Sequence, residues 1–436
     1  MWQVAGASGI RRRAGDLTDQ PKPVGEPAPT AIGRMPHDQL AVLAREYLLA
    51  GHLIDRAGMP LVLADGLDAM RDIAIEEWMG ASPVYTKRMQ RLLGFDGDTV
   101  EASFKGMQLD IGAPPEFMDF RFSVQDDHHG EFHLDHCGAL MDVEPMGEDY
   151  VIGMCHHIED PTFDATGWAT NPRLRMRPIH RPPRIPADRH PHCAWSVFID
   201  DELEPTPTPE RSLRISGTKA GRLPVASIGV SSGDGCDDYS GPLDPDLRME
   251  DFSSSTLRAM LDEIALQGHL LVLSFGSALS DRWDARTAAQ TVSKQFTGVA
   301  GVVAGRLKRA FYLGDDADSL AFVYDVHPAF RPRSYVDWRV DVDGEEVHLG
   351  LGHCPAREES PEESWITTLA TGSHRPLQAI ATALGPQWEV ESAGQTRWKV
   401  SRTDVTHPEF DEVVLAKFST GVEFAFRSEG RRTQLC

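Results

Sequence analysis

Four short motifs in this chain each occur twice, in the same order and at a nearly constant distance. The paired segments are GHL at 51–53 and 268–270, RMQR at 88–91 and RLKR at 306–309, FMDFRFSV at 117–124 and YVDWRVDV at 335–342, and FHLDHC at 132–137 and LGLGHC at 349–354. The offsets are 217, 218, 218 and 217 residues. Four unrelated coincidences would hardly preserve both order and spacing, so we predict an internally duplicated chain.

Both copies show the same succession of sequence patterns. Each begins with long stretches in which apolar residues recur at three and four spacing, as in LAVLAREYLLAGHLIDRAG and LRAMLDEIALQGHLLVLSFG, which is typical of amphipathic helices. Apolar and polar residues then alternate on both sides of a polar turn, in FRFSV–QDDHHG–EFHLDHC and in WRVDV–DGEE–VHLGLGHC, which predicts a β-hairpin. The expected fold class is α+β: a tandem duplicated domain with N-terminal helices followed by an antiparallel sheet in each copy.

Composition shifts suggest four regions. A Pro- and Gly-rich start predicts a disordered N-terminal arm over residues 1–34, before a first α+β copy at 35–200. A segment rich in Pro, Gly and Asp, residues 201–250, is expected to be a linker with one strand at 223–230. The second copy is placed at 251–430.

Net charge and apolar content exclude several classes of partner. The formal charge is −23, which repels phosphate backbones and makes nucleic acid a poor partner. No apolar run reaches the roughly 18 residues that a membrane-spanning helix needs, and no secretion signal is evident at the start. We therefore expect a cytoplasmic protein with reduced cysteines, no membrane partner and no nucleic acid partner.

Features present in both copies are expected to serve the common fold. We interpret the histidines of the GHL motif, His52 and His269, as packed helix residues. Repeated arginines near repeated aspartates suggest structural ion pairs within each copy, formed by Arg88, Arg91, Arg306 and Arg309 with Asp119 and Asp337.

The first copy alone holds a cluster of histidines and cysteines. A 65-residue window, 128–192, contains nine of the chain's 17 histidines, several times its proportional share. They are His128, His129, His133, His136, His156, His157, His180, His190 and His192, and Cys137, Cys155 and Cys193 lie beside them. Position 155 corresponds to Gly372 in the second copy, and position 156 to Ser373. An active site, if present, is therefore expected in the first copy.

Three interpretations of this cluster remain open. Thiolate and imidazole are preferred ligands of zinc, so a divalent metal ion, most plausibly zinc, is one expectation, with Cys137, Cys155, His156, His192 and Cys193 as candidate ligands. The second is covalent or acid–base chemistry by Cys137, Cys155, His156 and Asp160, with His156 or His157 as base. The third is a purely structural set of buried and surface histidines. The proline-stiffened, arginine-rich segment 177–193 could additionally form a lid that receives a carboxylate.

A resemblance to a known family rests on four features of the first copy. They are the hairpin that ends at Cys137, the acidic and apolar spacer, the Cys155–His156 pair and the helical stretch that ends in RMQRLLG at 88–94. Together they resemble the L-2-amino-thiazoline-4-carboxylic acid hydrolase-like family and, in general layout, small-molecule-binding domains of the vinyl-reductase type. The resemblance covers most of residues 37–200 and, more weakly, 255 to about 400. It implies hydrolysis of a carbon–nitrogen bond in a small heterocyclic acid.

These observations lead to two functional expectations. The first is a catabolic hydrolase, dependent on a metal ion or a cysteine, which opens or hydrolyses a carbon–nitrogen bond of a small organic acid in the first copy. The second is a ligand-, metal- or redox-sensing protein without catalysis. No nucleotide cofactor is expected, because no Gly-rich fingerprint follows a strand. The second copy is expected to act as a scaffold that imitates a dimer partner, and the chain itself to form a possible homodimer.

Overall fold

The computed structural model describes residues 30–417 of the 436-residue chain. Most of the predicted N-terminal arm, residues 1–29, and the predicted end of the second copy, 418–430, lie outside the described residues. The first described helix, α1 (Ala31–Arg34), falls inside the predicted arm, and its Ile32 is buried in the main core. The other domain boundaries remain predictions.

The first copy places two long helices before a four-stranded sheet and inserts shorter helices between its strands. Its elements are α2 (His37–Val62), α3 (Leu67–Leu93), α4 (Val100–Gln108), β1 (Met118–Asp126), β2 (His129–Cys137), α5 (Gly138–Val143), α6 (Glu148–Ile152), a π-helical turn (Gly153–Ile158), α7 (Glu159–Trp168), β3 (Leu174–His180) and β4 (Cys193–Ile199). A further helix, α8 (Glu210–Ser216), lies in the predicted linker.

The second copy repeats this order. Its elements are α9 (Ser254–Ser280), α10 (Ala285–Ala310), α11 (Ala317–Val326), β5 (Trp338–Asp343), β6 (Glu346–Leu351), α12 (Trp365–Thr371), α13 (Arg375–Leu384), β7 (Trp388–Gly394), β8 (Arg397–Arg402) and α14 (Asp411–Lys417). The strand expected at 223–230 does not form. This segment is irregular and lies over α9.

The two sheets have the same topology, β1-β2-β4-β3 and β5-β6-β8-β7, and both are antiparallel. The predicted hairpins form β1–β2 and β5–β6. Alternating apolar residues bury one face, as shown by Phe132 and Leu134 in β2 and by Val347 and Leu349 in β6. The α+β fold class and its two sheet-bearing parts are therefore confirmed.

The long helices of the two copies pack against each other reciprocally. Helix α3 packs on α9, α2 packs on α10, and α2 contacts α9 between them. One large core joins these helices to the second sheet, whereas a separate core, which contains Cys137, Cys155 and Cys193, lies under the first sheet. This reciprocity resembles an isologous dimer interface within one chain.

The ion pairs predicted within each copy are wrong. Arg88 pairs with Glu263 of the second copy at 2.8 Å, and Arg306 pairs with Glu46 of the first copy at 2.8 Å. The expected carboxylates pair with adjacent arginines instead, Asp119 with Arg121 and Asp337 with Arg339, while Arg91 lies 4.0 Å from Asp96. The repeated spacing identified the arginines but not their partners, because each partner comes from the other copy.

The GHL glycines provide a test of packing between matched positions. A Cβ added at Gly51 would lie 2.2 Å from the Cβ of Ile111, whereas one at Gly268 would meet only Ile54 Cδ1, at 3.6 Å. We expect Gly51→Ala to lower the free energy of unfolding by about 1–3 kcal/mol. Gly268→Ala should be neutral or stabilising, because alanine favours a helix interior. Urea denaturation measures both, and equal effects would contradict the packing argument.

None of the helices in residues 30–417 combines the length and the apolar character that crossing a bilayer would require.

Candidate functional site

A cavity of about 100 Å³ lies in the first copy, between the long helices, the sheet and α7. Its lining is mostly apolar, with three carboxyl groups, and contains no lysine or arginine among the described residues. The lining residues are His52, Asp55, Trp78, Met107, Asp110, Gly112, Ala113, Met118, Phe120, Ala139, Met154, Ile158, Glu159, Thr162, Phe163 and Thr166. A mostly apolar pocket with a few convergent polar groups is the usual form of a small-molecule site.

Asp55 belongs to a chain of buried polar groups at one wall. Its Oδ2 accepts a hydrogen bond from Trp78 Nε1 at 2.9 Å. Behind it, Glu77 is fully buried, and burial together with Asp55 raises the pKa of Glu77 well above its usual range. Asp55 Oδ1 and both carboxyl oxygens of Glu77 are buried and accept no hydrogen bond from the described residues. Burial raises the pKa of Asp55 to about 6, and the neighbouring Trp78 and Glu77 limit the rise.

Asp110 is held at a second wall by two donors. Its Oδ1 accepts from Tyr85 Oη at 2.8 Å and from the Gly112 backbone N–H at 2.7 Å. Burial raises the pKa of Asp110 to about 6 against the effect of these bonds. At pH 7 Asp55 and Asp110 are therefore mostly ionised.

Glu159 occupies the third wall, directly after the π-helical turn. A π-helical turn adds a residue to the helix register and is frequent at functional sites. In this chain Met154, Ile158 and Glu159 line the cavity, followed one turn later by Thr162 and Phe163. The side chain of Glu159 is almost fully buried, since the residue is 8% exposed, and its Oε2 has no hydrogen-bond partner. Burial raises its pKa to about 8, although Arg181 acts in the opposite direction.

Aromatic side chains fix the shape of the cavity. Phe163 packs edge-on against Trp195, with ring centroids 4.9 Å apart, and lies 6.4 Å from Phe120. His52 packs against Phe117, with ring centroids 3.7 Å apart and ring planes tilted by 35°. Burial holds the pKa of His52 well below its usual range, so this ring is neutral. His52 thus packs inside the protein, as predicted, and it also lines the cavity.

The three predicted cysteines lie beside the cavity without lining it. Cys137 ends β2, Cys155 lies in the π-helical turn and Cys193 begins β4, and each is at most 5% exposed. Burial raises the pKa of Cys137 to about 12, and it raises the pKa values of Cys155 and Cys193 well above the usual range. All three are therefore neutral thiols, which are poor nucleophiles.

The predicted His156, Asp160 and His192 also lie outside the lining. His156 Nε2 bonds to the Pro182 carbonyl oxygen at 2.7 Å, and Asp160 forms an ion pair with Arg181. His192 is buried against His190, with ring centroids 5.0 Å apart, and burial lowers its pKa to about 4.

The proposed zinc ligands do not form a ligand set in this arrangement. Within residues 30–417, no group of three or more His, Cys, Asp or Glu side chains is placed to hold a metal ion. His156 is turned to a backbone carbonyl group and His192 packs against His190, so the candidate ligands do not converge on one point, and the metal remains a prediction. Three arginines of the expected lid already form ion pairs with carboxylates: Arg177 with Asp164, Arg181 with Asp160 and Arg184 with Glu144.

A larger cavity, of about 430 Å³, lies under the linker at 223–230. Its buried charges, Arg88 and Glu263, are paired with each other, and Arg88 also donates to the carbonyl oxygens of Leu223 and Pro224. None of its described lining side chains is both buried and unpartnered. Unlike the smaller cavity, this one offers no buried side chain that lacks a hydrogen-bond partner and could bind a ligand.

Sequence reasoning missed the three cavity carboxylates. Asp55, Asp110 and Glu159 are far apart in the chain, and each is an ordinary acidic residue in its local sequence. The duplication held a usable signal, because the position 217 residues after Asp55 is Val272, and the position 218 residues after Asp110 is Pro328. Comparison of acidic residues between copies would have identified both as particular to the first copy.

The burial of the thiols predicts how they react. We expect Cys137, Cys155 and Cys193 to resist iodoacetamide at pH 7.5 in the native protein and to react readily once the protein is unfolded in urea, because alkylation needs an accessible thiolate. Mass-spectrometric mapping of the modified peptides measures this. Rapid native labelling of Cys155 would contradict the structural role and restore the covalent interpretation.

Comparison with known proteins assigns no family to the chain: no protein-family model, no curated protein and no solved structure matches it.

Proposed function

We propose that the first copy is a hydrolase for a carbon–nitrogen bond of a small nitrogen compound, with Glu159 as its acid–base group. The single observation that carries the proposal is the buried, unpartnered Glu159 oxygen in the wall of the cavity. The reaction class itself comes from the sequence resemblance. The cavity carboxylates replace the cysteines and histidines as the proposed catalytic residues.

Different environments support different roles for the carboxyl groups. A pKa of about 8 leaves Glu159 mostly protonated at pH 7, which suits a general acid, whereas a pKa of about 6 leaves Asp55 and Asp110 as candidate bases. An aspartate accepts a proton from water as the water oxygen bonds to the substrate carbon. Glu159 then donates its proton to the leaving nitrogen as the carbon–nitrogen bond breaks. The products are the hydroxylated carbon compound and the free amine, and the proton returns from the aspartate to Glu159 through solvent.

The charge of the lining argues against the acid substrate expected from the sequence. A substrate carboxylate would meet three carboxyl groups and no lysine or arginine of the described lining. Like charges in a poorly solvated cavity repel strongly. We therefore propose a nitrogen compound without a carboxylate, and the sensing alternative becomes the outcome in which such a compound binds without turnover.

The test is a turnover screen of the full chain with amides, lactams, and cyclic and open amidines, followed by NMR detection of the new amine. We expect Glu159→Gln to lower kcat by about 10²–10⁴-fold, the usual contribution of a positioned acid–base group. The matched control is Glu363→Gln, a half-buried carboxyl of the second copy whose pKa is also raised, to about 6. Binding without product, or equal turnover by wild type and Glu159→Gln, would overturn the proposal.

A further inference from the structure

We propose that the first-copy cavity recognises a small organic monocation of the amidinium type, which is planar, carries N–H donors and has an apolar body. This inference rests on the proposed function and specifies its substrate class. It follows from the charge, the unpaired atom and the walls of the cavity, and from the corresponding region of the second copy.

The charge of the cavity requires a positive partner. Asp55, Asp110 and Glu159 approach it from three different segments of the chain, and the only basic side chain of the described lining, His52, is neutral. Burial without a cation raises the pKa values of all three carboxyl groups, and Glu159 keeps its proton at pH 7. A bound amidinium carries this proton on its own nitrogen, so the carboxyl group becomes the anion that accepts the N–H bonds, and in the proposed reaction the same proton stays with the leaving nitrogen.

One acceptor site is already free of protein partners. Glu159 lines the cavity, and its Oε2 atom is buried and makes no hydrogen bond with the described residues. Leaving a buried polar atom unpaired is unfavourable, so such atoms in folded proteins call for a ligand or another explanation. Asp110, by contrast, already accepts two bonds through its Oδ1.

The walls suit a flat cation. Trp78, Phe120 and Phe163 line the cavity, and the bond from Trp78 Nε1 to Asp55 fixes the indole beside a carboxylate. Aromatic faces attract guanidinium- and ammonium-like groups when these are removed from water. A cavity of about 100 Å³ is smaller than the roughly 150 Å³ cavity that holds benzene, so it can enclose the amidinium group of a ligand and only part of an attached aromatic ring.

The second copy has lost this arrangement. Val272 and Pro328 stand where the first copy has Asp55 and Asp110, and the position of Glu159 falls at Arg375 or Pro376, at the start of the corresponding helix. Phe296, which corresponds to Trp78, stacks on Trp365 at 4.8 Å between centroids. Acidic side chains around this space are therefore not a requirement of the fold.

The experiment compares three probes of nearly identical shape and different charge: benzamidine, benzamide and benzoate. Calorimetric titrations of the full chain at pH 7 and constant ionic strength give the affinities for wild type, Glu159→Gln and Asp55→Asn, with Glu363→Gln as the control. We expect benzamidine to bind about tenfold or more tighter than benzamide, and benzoate to bind least. The preference for benzamidine should fall about tenfold in both cavity variants and persist in the control.

The outcomes separate the ligand class from the proposed function. If benzamide or benzoate bound most tightly, and Glu159→Gln abolished this binding, the ligand would not be a cation. The cavity would still be a small-molecule site. A benzamidine preference that is equal in wild type and both cavity variants would also overturn the cation class, because the carboxylates would not be the recognising groups. Failure of all three probes to bind at millimolar concentration would overturn the inference, and the turnover screen would then decide the proposed function independently.

Discussion

At pH 8, Glu159→Gln will make the protein more stable than wild type, by about 2–5 kcal/mol in the free energy of unfolding. Glutamine has the shape of a protonated glutamate and does not ionise. The same substitution is expected to remove turnover, so stability and activity should change in opposite directions. Such opposition is characteristic of a functional site that is built at a cost to stability.

The sign follows from the two pKa values of Glu159. Its pKa rises from 4.5 to about 8 on folding because the carboxyl is buried. Between these values the unfolded chain has released the proton while the folded chain retains it, so wild-type stability falls as the pH rises from about 4.5 to 8. The advantage of the glutamine variant should therefore be small at pH 5 and largest at pH 8.

Neighbouring groups set the size of this effect. Arg181 lowers the pKa of Glu159 and Asp160 raises it, while the nearby thiols of Cys137, Cys155 and Cys193 remain neutral in this range. Asp55 and Asp110 face the same cavity and titrate in the same direction, with pKa values about 6. They contribute equally to the pH dependence of the free energy of unfolding in wild type and variant. The difference in stability between the two proteins therefore reports the contribution of Glu159 alone.

Urea denaturation of wild type and variant at pH 5, 6.5 and 8 measures the prediction. Asp160→Asn serves as the matched control, since Asp160 is adjacent in sequence but is half-exposed and paired with Arg181. It should stabilise the protein at pH 8 far less than Glu159→Gln does, because it lowers the pKa of Glu159 only in part and breaks the ion pair with Arg181. A Glu159→Gln variant that is no more stable than wild type at pH 8 would show that Glu159 is ionised without strain in the folded protein.

The sequence allowed the fold to be predicted because its signals are local and were present twice. Alternation in FRFSV and EFHLDHC specifies a hairpin, since a strand exposes successive residues to opposite faces. The repeated motifs extended the same interpretation to β5 and β6. The partner of Arg88 could not be predicted in this way, because Glu263 lies 175 residues away and comes from the other copy.

The candidate site was harder to predict because burial changes the chemistry of a residue. Cys155 and Cys193 attracted attention as soft ligands, yet their thiols are enclosed in an apolar core and held neutral. Glu159 looked ordinary beside Asp160 in the sequence IEDP, but it is the residue directed into the cavity. Which of two adjacent acidic residues faces inward depends on the register after the π-helical turn, which composition does not reveal.

Replacing Arg88 by methionine should lower the free energy of unfolding by about 3–5 kcal/mol, the usual effect of breaking a buried ion pair. Arg88 and Glu263 are 6% and 3% exposed, and they form two hydrogen bonds of 2.8 and 2.9 Å. Methionine preserves much of the apolar volume but leaves the Glu263 carboxylate buried without its cation. The carbonyl oxygens of Leu223 and Pro224 would also lose their donors.

The duplication supplies a matched control for this substitution. Arg306 and Glu46 occupy the corresponding positions with the copies exchanged, and their side chains are 23% and 15% exposed. Water can solvate this second pair once it is broken, so Arg306→Met should cost about 1–2 kcal/mol. Urea denaturation of both variants at pH 7 makes the comparison, and equal losses would show that burial does not distinguish the two pairs.

The double variant Arg88→Met with Glu263→Met separates the charge from the packing. Because an apolar pair of similar volume avoids the cost of removing two charges from water, the double variant should recover most of the stability that Arg88→Met loses. A double variant as unstable as the single one would instead assign the loss to the linker, since Glu263 Oε1 also accepts from the Ala226 backbone N–H at 2.7 Å. In either case, the cost arises where α3 of one copy meets α9 of the other, so the two copies are expected to unfold together rather than as independent domains.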